Sequence, residues 1–424
     1  MVGTSREPNI TLDQSDISLA ALKVVRRLSE EGFDAYLVGG CVRDLLLNQK
    51  PKDFDVATNA TPQEVHRLFR NSRIIGRRFQ IAHVRFGREI IEVATFRGQH
   101  DPNQSSESGH VLRDNVFGSF EEDGLRRDFT VNALYYDAIS DTILDPTGKG
   151  LADLQAKKLN LIGDPEIRFQ EDPVRMLRAV RFMAKLNFSV SADLQKQIRT
   201  SAHLLGEIPP ARLFEETLKL FMNGHALSTF EGLKTHHLMP LLFPTLASEG
   251  QNAQLVAEAL ASTDARIAQD MPVTPAFLFA AFLWEGFSQH KDRLIKVEGK
   301  TPIDASHMAA DMVFLAQQSI VAIPRRFSIP AREIWLLQDR LNQQVGKRPY
   351  KLLTHKRFRA AYDFLLLRHE SGVPLASTCD WWTTFQSADL ETQQQMTTPQ
   401  RRKKRKKKTP KALQKSSEEK PASV

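Results

Sequence analysis

The chain has 424 residues, 41% of them hydrophobic, which is enough for two to four compact units of ordinary globular composition. No apolar run approaches the roughly 18 to 20 residues of a membrane span, the N-terminus MVGTSREPNITLDQ lacks a secretory core, and Cys41 and Cys379 are the only cysteines; a disulfide framework and a cysteine-ligated zinc site are excluded, and a reducing cytoplasm is the expected location. The net charge of +8 belongs to one end: residues 399–424 hold eleven Lys or Arg against two Glu, leaving 47 basic and 48 acidic residues elsewhere.

In chain order, Leu19, Leu22, Val25 and Leu28 recur at helical spacing and predict a helix over 15–31, closed by Gly32. A strand follows over 35–38, then the Gly39-Gly40 turn and a short helix through Leu47. The next strand is predicted to carry Asp53 and Asp55. Side chains two apart on a strand share a face, so both carboxylates should project beside a glycine turn whose backbone can approach a phosphate closely. Thr61-Pro62-Gln63-Glu64 has the cap, proline and acidic residue of a helix start. Residues 80–86 and 89–97 read as a hairpin around Gly87, 99–112 as a polar loop, and 129–136 as a further strand or a short buried helix.

From residue 172 onward the pattern is helical, with apolar-periodic segments such as 211–222 and 309–321. The expected plan is an α/β head (1–160), a helical neck carrying a base-reading helix (161–230), a helical body (231–390) and a disordered basic tail (391–424).

Two close carboxylates repel unless a cation lies between them, so Asp53 and Asp55 suit divalent metal and a nucleoside triphosphate. Glu92 and Asp128 are the candidates for a third carboxylate, Glu92 being equally readable as an edge-strand charge facing water. The arginines of Arg126-Arg127-Asp128 suit triphosphate oxygens, although such a segment is equally a surface salt-bridge network. In Glu171-Asp172-Pro173-Val174-Arg175, Asp172 caps a helix that brings Arg175, Arg178 and Arg181 onto one face, which is a nucleotide-reading stripe or equally a solvated face. A carboxylate accepting from an exocyclic amine, with an arginine donating to the adjacent ring nitrogen, matches adenine and cytosine and opposes guanine and uracil.

LVGGCVRD, KDFD, EVATFRG, RRDFTVNAL, DPTGKGLADL and EDPVRMLRAVRF, in this order over about 35–225, closely resemble the bacterial tRNA nucleotidyltransferase/poly(A) polymerase family. The resemblance implies an α/β head of nucleotidyltransferase type followed by an all-helical neck and body. It also implies Asp53 and Asp55 as metal-binding catalytic residues, with Asp128 and Glu92 supporting them. Gly39, Gly40, Arg43 and Arg127 would contact ATP, and Asp172, Arg175, Arg178 and Arg181 would form the base- and phosphate-reading helix. Two divalent ions, taken as Mg²⁺, and ATP as substrate follow.

GRRFQIAHV from Gly76, LRDNVFG from Leu112, IPPARLFEE from Ile208, GKRPYK from Gly346 and FRAAYD from Phe358 look like the poly(A) polymerase branch. The run Arg401, Arg402, Lys403, Lys404, Arg405, Lys406, Lys407 and Lys408 reads as a flexible arm attracted to RNA phosphates, or as a solubilising terminus. The expected activity is template-independent addition of AMP to RNA 3′ ends in mRNA processing and turnover. The alternatives are CCA addition to tRNA and an inactive RNA-binding homologue. RNA 3′ ends are the expected partner, RNA-degradation machinery a candidate one, and a monomer the expected state.

Overall fold

The structure, a computed structural model, describes residues 5–7, 12–76, 80–98, 117–246 and 249–398. The loop expected at 99–112 and the basic run at 401–408 lie outside the described residues.

The head begins with β1 (Ser5–Glu7), α1 (Leu19–Glu30), β2 (Ala35–Val38), α2 (Gly40–Leu46), β3 (Asp55–Thr58) and α3 (Pro62–Leu68). β4 (Ser72–Ile75), β5 (Ile81–Phe86), β6 (Glu89–Thr95), α4 (Phe120–Leu125), β7 (Tyr135–Asp137), β8 (Thr142–Asp145) and α5 (Gly150–Gln155) complete it. α1 starts later than its apolar spacing predicts because Ser18 caps it, accepting from the amides of Ala20 and Ala21. Thr61 and Glu64 form the expected capping box, and Pro62 opens α3.

One eight-stranded sheet runs in the order β1-β8-β7-β2-β3-β6-β5-β4. β3 pairs with β6 in parallel and every other pair is antiparallel. Antiparallel pairing of β2 with β3 puts the end of one strand beside the start of the other. The glycine turn after Val38 and the carboxylates near Asp55 therefore meet at one end of the sheet. The Gly39 amide donates to the Leu134 carbonyl, which brings the 127–132 segment to the same end.

Helices follow without interruption by strands: α6 (Pro165–Glu171), α7 (Val174–Leu186), α8 (Ala192–Ser201), α9 (Pro210–Phe221), α10 (Ala226–Thr235), α11 (Met239–Leu242), α12 (Gln251–Ala268) and α13 (Pro275–Phe282). Then come α14 (Trp284–Lys296), α15 (Pro302–Gln318), α16 (Arg325–Leu341), α17 (Arg348–Leu353), α18 (Phe358–Glu370), α19 (Ala376–Ser387) and α20 (Leu390–Thr397). The helical part starts at Pro165, and α20 carries order past residue 390, where the tail was expected to begin. Gln393 and Thr397 of α20 are buried, which explains the difference: the helix packs on the body instead of being solvated.

The apolar core is continuous from the head into the body, with Phe129 of the head edge-on to Phe182 of α7 at 5.7 Å. A second cluster, including Leu341, Tyr362, Trp382 and Phe385, holds the last helices together. Cys41 and Cys379 are buried and unpaired. Among the described residues no helix is long and apolar enough to cross a membrane.

Candidate active site

Head and neck enclose a cavity of about 770 Å³. Its walls bring together Gly39, Gly40, Arg43, Asp53, Asp55, Arg127 and Asp128 from the head with Asp172, Arg175, Arg178 and Arg181 from the neck. Gly39 and Arg181, 142 positions apart in the chain, thus share one space, and every expected site residue among those described is present except Glu92. Nine Lys or Arg against five Asp line the cavity, a balance suited to a polyanion.

Asp53 is not on the strand. β3 begins at Asp55, and Asp53 sits in the irregular approach two residues earlier, exposed, so the shared-face expectation fails in its stated form. The two carboxylates nevertheless reach the same cavity and feel each other's charge. Burial pushes the Asp55 carboxyl up to about 6, with Glu92 and Asp53 adding to the shift and Arg127 opposing it. Among the described residues neither aspartate side chain has a hydrogen-bond partner. Two hard oxygen donors in electrostatic conflict fit a divalent cation, and Mg²⁺ is commonly held by only one or two carboxylates together with substrate phosphates. Among the described residues no three His, Cys, Asp or Glu gather into a metal-holding group.

Glu92 is the register partner of Asp55 across the parallel β3–β6 pair, on an internal strand, and its carboxylate lies 3.4 Å from Nε2 of His83. It acts on Asp55 through its charge without lining the cavity.

Asp128, one of the two candidates for a third carboxylate, is engaged by protein partners. It accepts from Arg178 Nε at 2.6 Å, from Asn132 Nδ2 at 3.2 Å and from the Phe129 amide at 2.8 Å. Burial opposes its ionisation, but Arg178 and these hydrogen bonds hold its carboxyl below the usual range. A carboxylate so occupied orients an arginine.

Arg43, expected to contact ATP, lines the cavity but is held by protein partners. It is buried; Nε and Nη2 donate to Asp44 at 2.8 and 2.6 Å, and Nη1 donates to Asn132. Its charge faces the cavity while its nitrogens brace the turn. Arg127 keeps a free edge: Nε and Nη2 donate to Asp123 and Nε to Tyr135, whereas Nη1 points to Gly39.

Gly39 has φ +79°, and a Cβ there would sit 3.4 Å from Arg127 Nη1 and 3.5 Å from the Asn132 carbonyl. Gly39→Ala is expected to cost about 1–3 kcal/mol of backbone strain and to raise the ATP KM by displacing Arg127. Thermal melting and initial rates check this; an unchanged KM would mean that the turn does not shape the nucleotide site.

On α7, Arg178 holds Asp128, and Arg181 is half-buried, its Nε buried without a partner among the described residues. Burial, followed by the nearby Arg178 charge, lowers the Arg181 guanidinium to about 10. An anion in the cavity would relieve both costs. Asp172 closes α6 rather than simply opening α7: Oδ1 accepts from the Val174 amide at 3.3 Å, and Oδ2 accepts from Arg212 Nη2 of α9 at 2.8 Å. Arg175 Nη1 donates to Glu171 at 2.9 Å and to the Arg168 carbonyl at 2.8 Å.

Three supporting cations carried no signal in the sequence. Arg168 Nη2 donates to the carbonyls of Arg126 and Arg127 at 2.6 and 2.7 Å, fixing the segment that precedes Asp128. Lys185 Nζ bonds Asp44 at 3.0 Å and ties α7 to α2, and Lys219 of α9 lines the far wall.

Residues 35–160 match the family model of the "Poly A polymerase head domain". Residues 187–249 match "Probable RNA and SrmB- binding site of polymerase A", and 298–416 match "Polymerase A arginine-rich C-terminus". The chain is 48% identical over 392 residues to Poly(A) polymerase I of Salmonella typhimurium, covering 89% of this chain and 84% of the relative.

The chain belongs to the bacterial poly(A) polymerase family.

Similarity to CCA-adding enzymes is narrower: one from Lactobacillus helveticus is 38% identical over 216 residues, covering 51% of this chain and 53% of that protein. The poly(A) polymerase fold is nonetheless shared with such enzymes. The crystal structure of the Bacillus stearothermophilus CCA-adding enzyme in complex with CTP superposes with a TM-score of 0.55 at 26% identity, covering 86% of this chain and 80% of that one.

Proposed function

We propose that the protein extends RNA 3′ ends with adenylate, without a template, taking AMP from ATP and releasing pyrophosphate. The observation that carries this reading is the single cavity in which the aspartate pair, the glycine turn and the arginine stripe of α7 face one another. The RNA 3′-oxygen attacks the α-phosphate in line, its proton is lost, a phosphodiester bond forms and the bond to pyrophosphate breaks. When bound at Asp53 and Asp55, divalent ions, taken as two Mg²⁺, supply the charge that acidifies the hydroxyl and stabilises the phosphate oxygens. Arg127 Nη1, the Gly39-Gly40 backbone and Arg181 hold the triphosphate, and catalysis is mostly positioning and electrostatics.

Asp172 accepts the adenine amine with its remaining lone pairs while Arg175 donates to the ring. Arg212 pairs with Asp172 and Glu171 with Arg175, which fixes the two readers in place. Purified protein given generic RNA, tRNA lacking its CCA end, and ATP with or without CTP is expected to grow a long adenosine tract on the generic RNA. Addition confined to CCA on tRNA would overturn the assignment.

The Asp55 carboxyl, at about 6, makes metal binding pH-dependent. Below that pH a proton must be displaced, so divalent-ion affinity measured by calorimetry is expected to weaken roughly tenfold per unit. The folded chain holds this proton more tightly than the unfolded chain does, whose ordinary value is 3.8. Metal-free protein should therefore gain stability as pH falls through the window from about 6 toward 4. Affinity that stays flat across that window would remove Asp55 from the metal site.

A further inference from the structure

Arg127 reaches the catalytic cavity from a buried polar frame. Asp123 on α4 accepts from its Nη2 at 2.9 Å and from its Nε at 3.3 Å, and the Tyr135 hydroxyl accepts from Nε at 2.9 Å. Tyr135 in turn donates to Asp123 Oδ2, which closes a triangle of polar groups. The guanidinium also lies over the Tyr135 ring, 5.1 Å from its centre. Burial opposes ionisation of Asp123, but the Arg127 charge and the hydrogen bonds from Tyr135, Arg127 and the Arg97 amide hold its carboxyl below the usual range, so it stays an anion.

Three elements converge to build this frame. Tyr135 of β7 is the register partner of Val38, the last residue of β2 before the Gly39 turn. The Arg97 amide, just past β6, donates to Asp123 Oδ1 at 3.2 Å. Ser119 and Glu122 form a capping box that starts α4, and Gly124 lets this helix close on the residue after β8: a Cβ there would sit 2.2 Å from Pro146 Cγ. The Asp123 side chain is thereby fixed from several sides and is only 9% exposed. Burying an ion pair is a weak source of stability. Gripping a planar guanidinium along one edge, however, aims its other tip. That tip is Nη1, which points to Gly39, and the charge it carries reaches Asp55.

We propose that Asp123 and Tyr135 are positioning residues for nucleotide binding, which aim Arg127 Nη1 at the triphosphate where it crosses the glycine turn. The proposal rests on the triphosphate contact assigned to Arg127 above. Neither side chain lines the catalytic cavity, so both act through the arginine.

The test measures, by calorimetry with Mg²⁺ and without RNA, the affinity for ATP and for adenosine, which keeps the base and lacks the phosphates. Asp123→Asn has the same shape and can still accept from the Arg97 amide, but it loses the charge that grips Arg127. Tyr135→Phe keeps the ring and removes the hydroxyl. The ATP Kd is expected to rise about tenfold in the first and about threefold in the second, with adenosine affinity unchanged. In an Arg127→Ala background neither change should weaken ATP binding further, since the group being aimed is gone. Unchanged ATP affinity in both variants, or equal weakening of ATP and adenosine, would overturn the proposal. Effects that add fully to that of Arg127→Ala would do the same. If Asp123→Asn does not fold, Tyr135→Phe and its cycle with Arg127→Ala decide alone. The Arg127→Ala single variant keeps this result separate from the assignment beneath it. ATP affinity unchanged by that variant refutes the triphosphate contact itself, whereas affinity lowered by it and by neither of the others refutes only the positioning role.

Discussion

Asp53→Ala and Asp55→Asn are each expected to lower AMP incorporation by at least about a thousandfold while leaving RNA binding nearly intact. Among the described residues the two carboxylates are the cavity's metal-suited donors without protein partners, so neither has a described replacement. Asp55→Asn should also increase the thermal stability of the metal-free protein, since the neutral amide removes the buried charge conflict with Glu92 and Asp53. Pyrophosphate release reports activity, and filter binding reports RNA affinity. Substantial turnover by either variant would mean that the metal is held elsewhere. Glu92→Gln provides an internal contrast: it touches the site only through its charge on Asp55, so a much smaller loss is expected.

Arg178→Ala is expected to destabilise the head–neck unit by about 3 kcal/mol and to abolish useful activity. Arg178 closes over Asp128, whose side chain is only 10% exposed, and its removal strands a buried anion that Asn132 and one amide cannot neutralise. The arginine also belongs to the stripe facing the nucleotide, so stability and catalysis should fall together. Arg178→Ala combined with Asp128→Asn separates the two effects. The neutral pair should recover most of the melting temperature and little of the rate. A single Arg178→Ala variant that melts like wild type would show that the Asp128–Arg178 pair does not bear on folding.

Much of the site was legible because its signals are local. The Gly39-Gly40 break after an apolar run, Thr61-Pro62 before a helix, and arginines three residues apart on α7 each express a backbone preference within a few residues. The hairpin around Gly87 was readable for the same reason. β1, β4 and β8 were not anticipated: each has only three or four residues and gains its stability from a neighbour, so no periodicity has room to develop. Asp53 was misplaced by one local feature, the start of β3 at Asp55, which no residue type marks.

By itself, the sequence determined the chemistry and its order along the chain: acidic donors, a turn that admits phosphate, a cationic helix and the α/β-to-helical plan. Those properties depend on residue type and spacing. Only the tertiary structure decided what each side chain is free to do. Asp128 is spent on Arg178 from 50 residues away, Asp172 is held by Arg212 from 40, and Asp44 is gripped by Lys185 from 141. Such pairings are set by how α7 and α9 pack on the head, and a hydrogen bond between distant residues leaves no mark on its near neighbours in the chain.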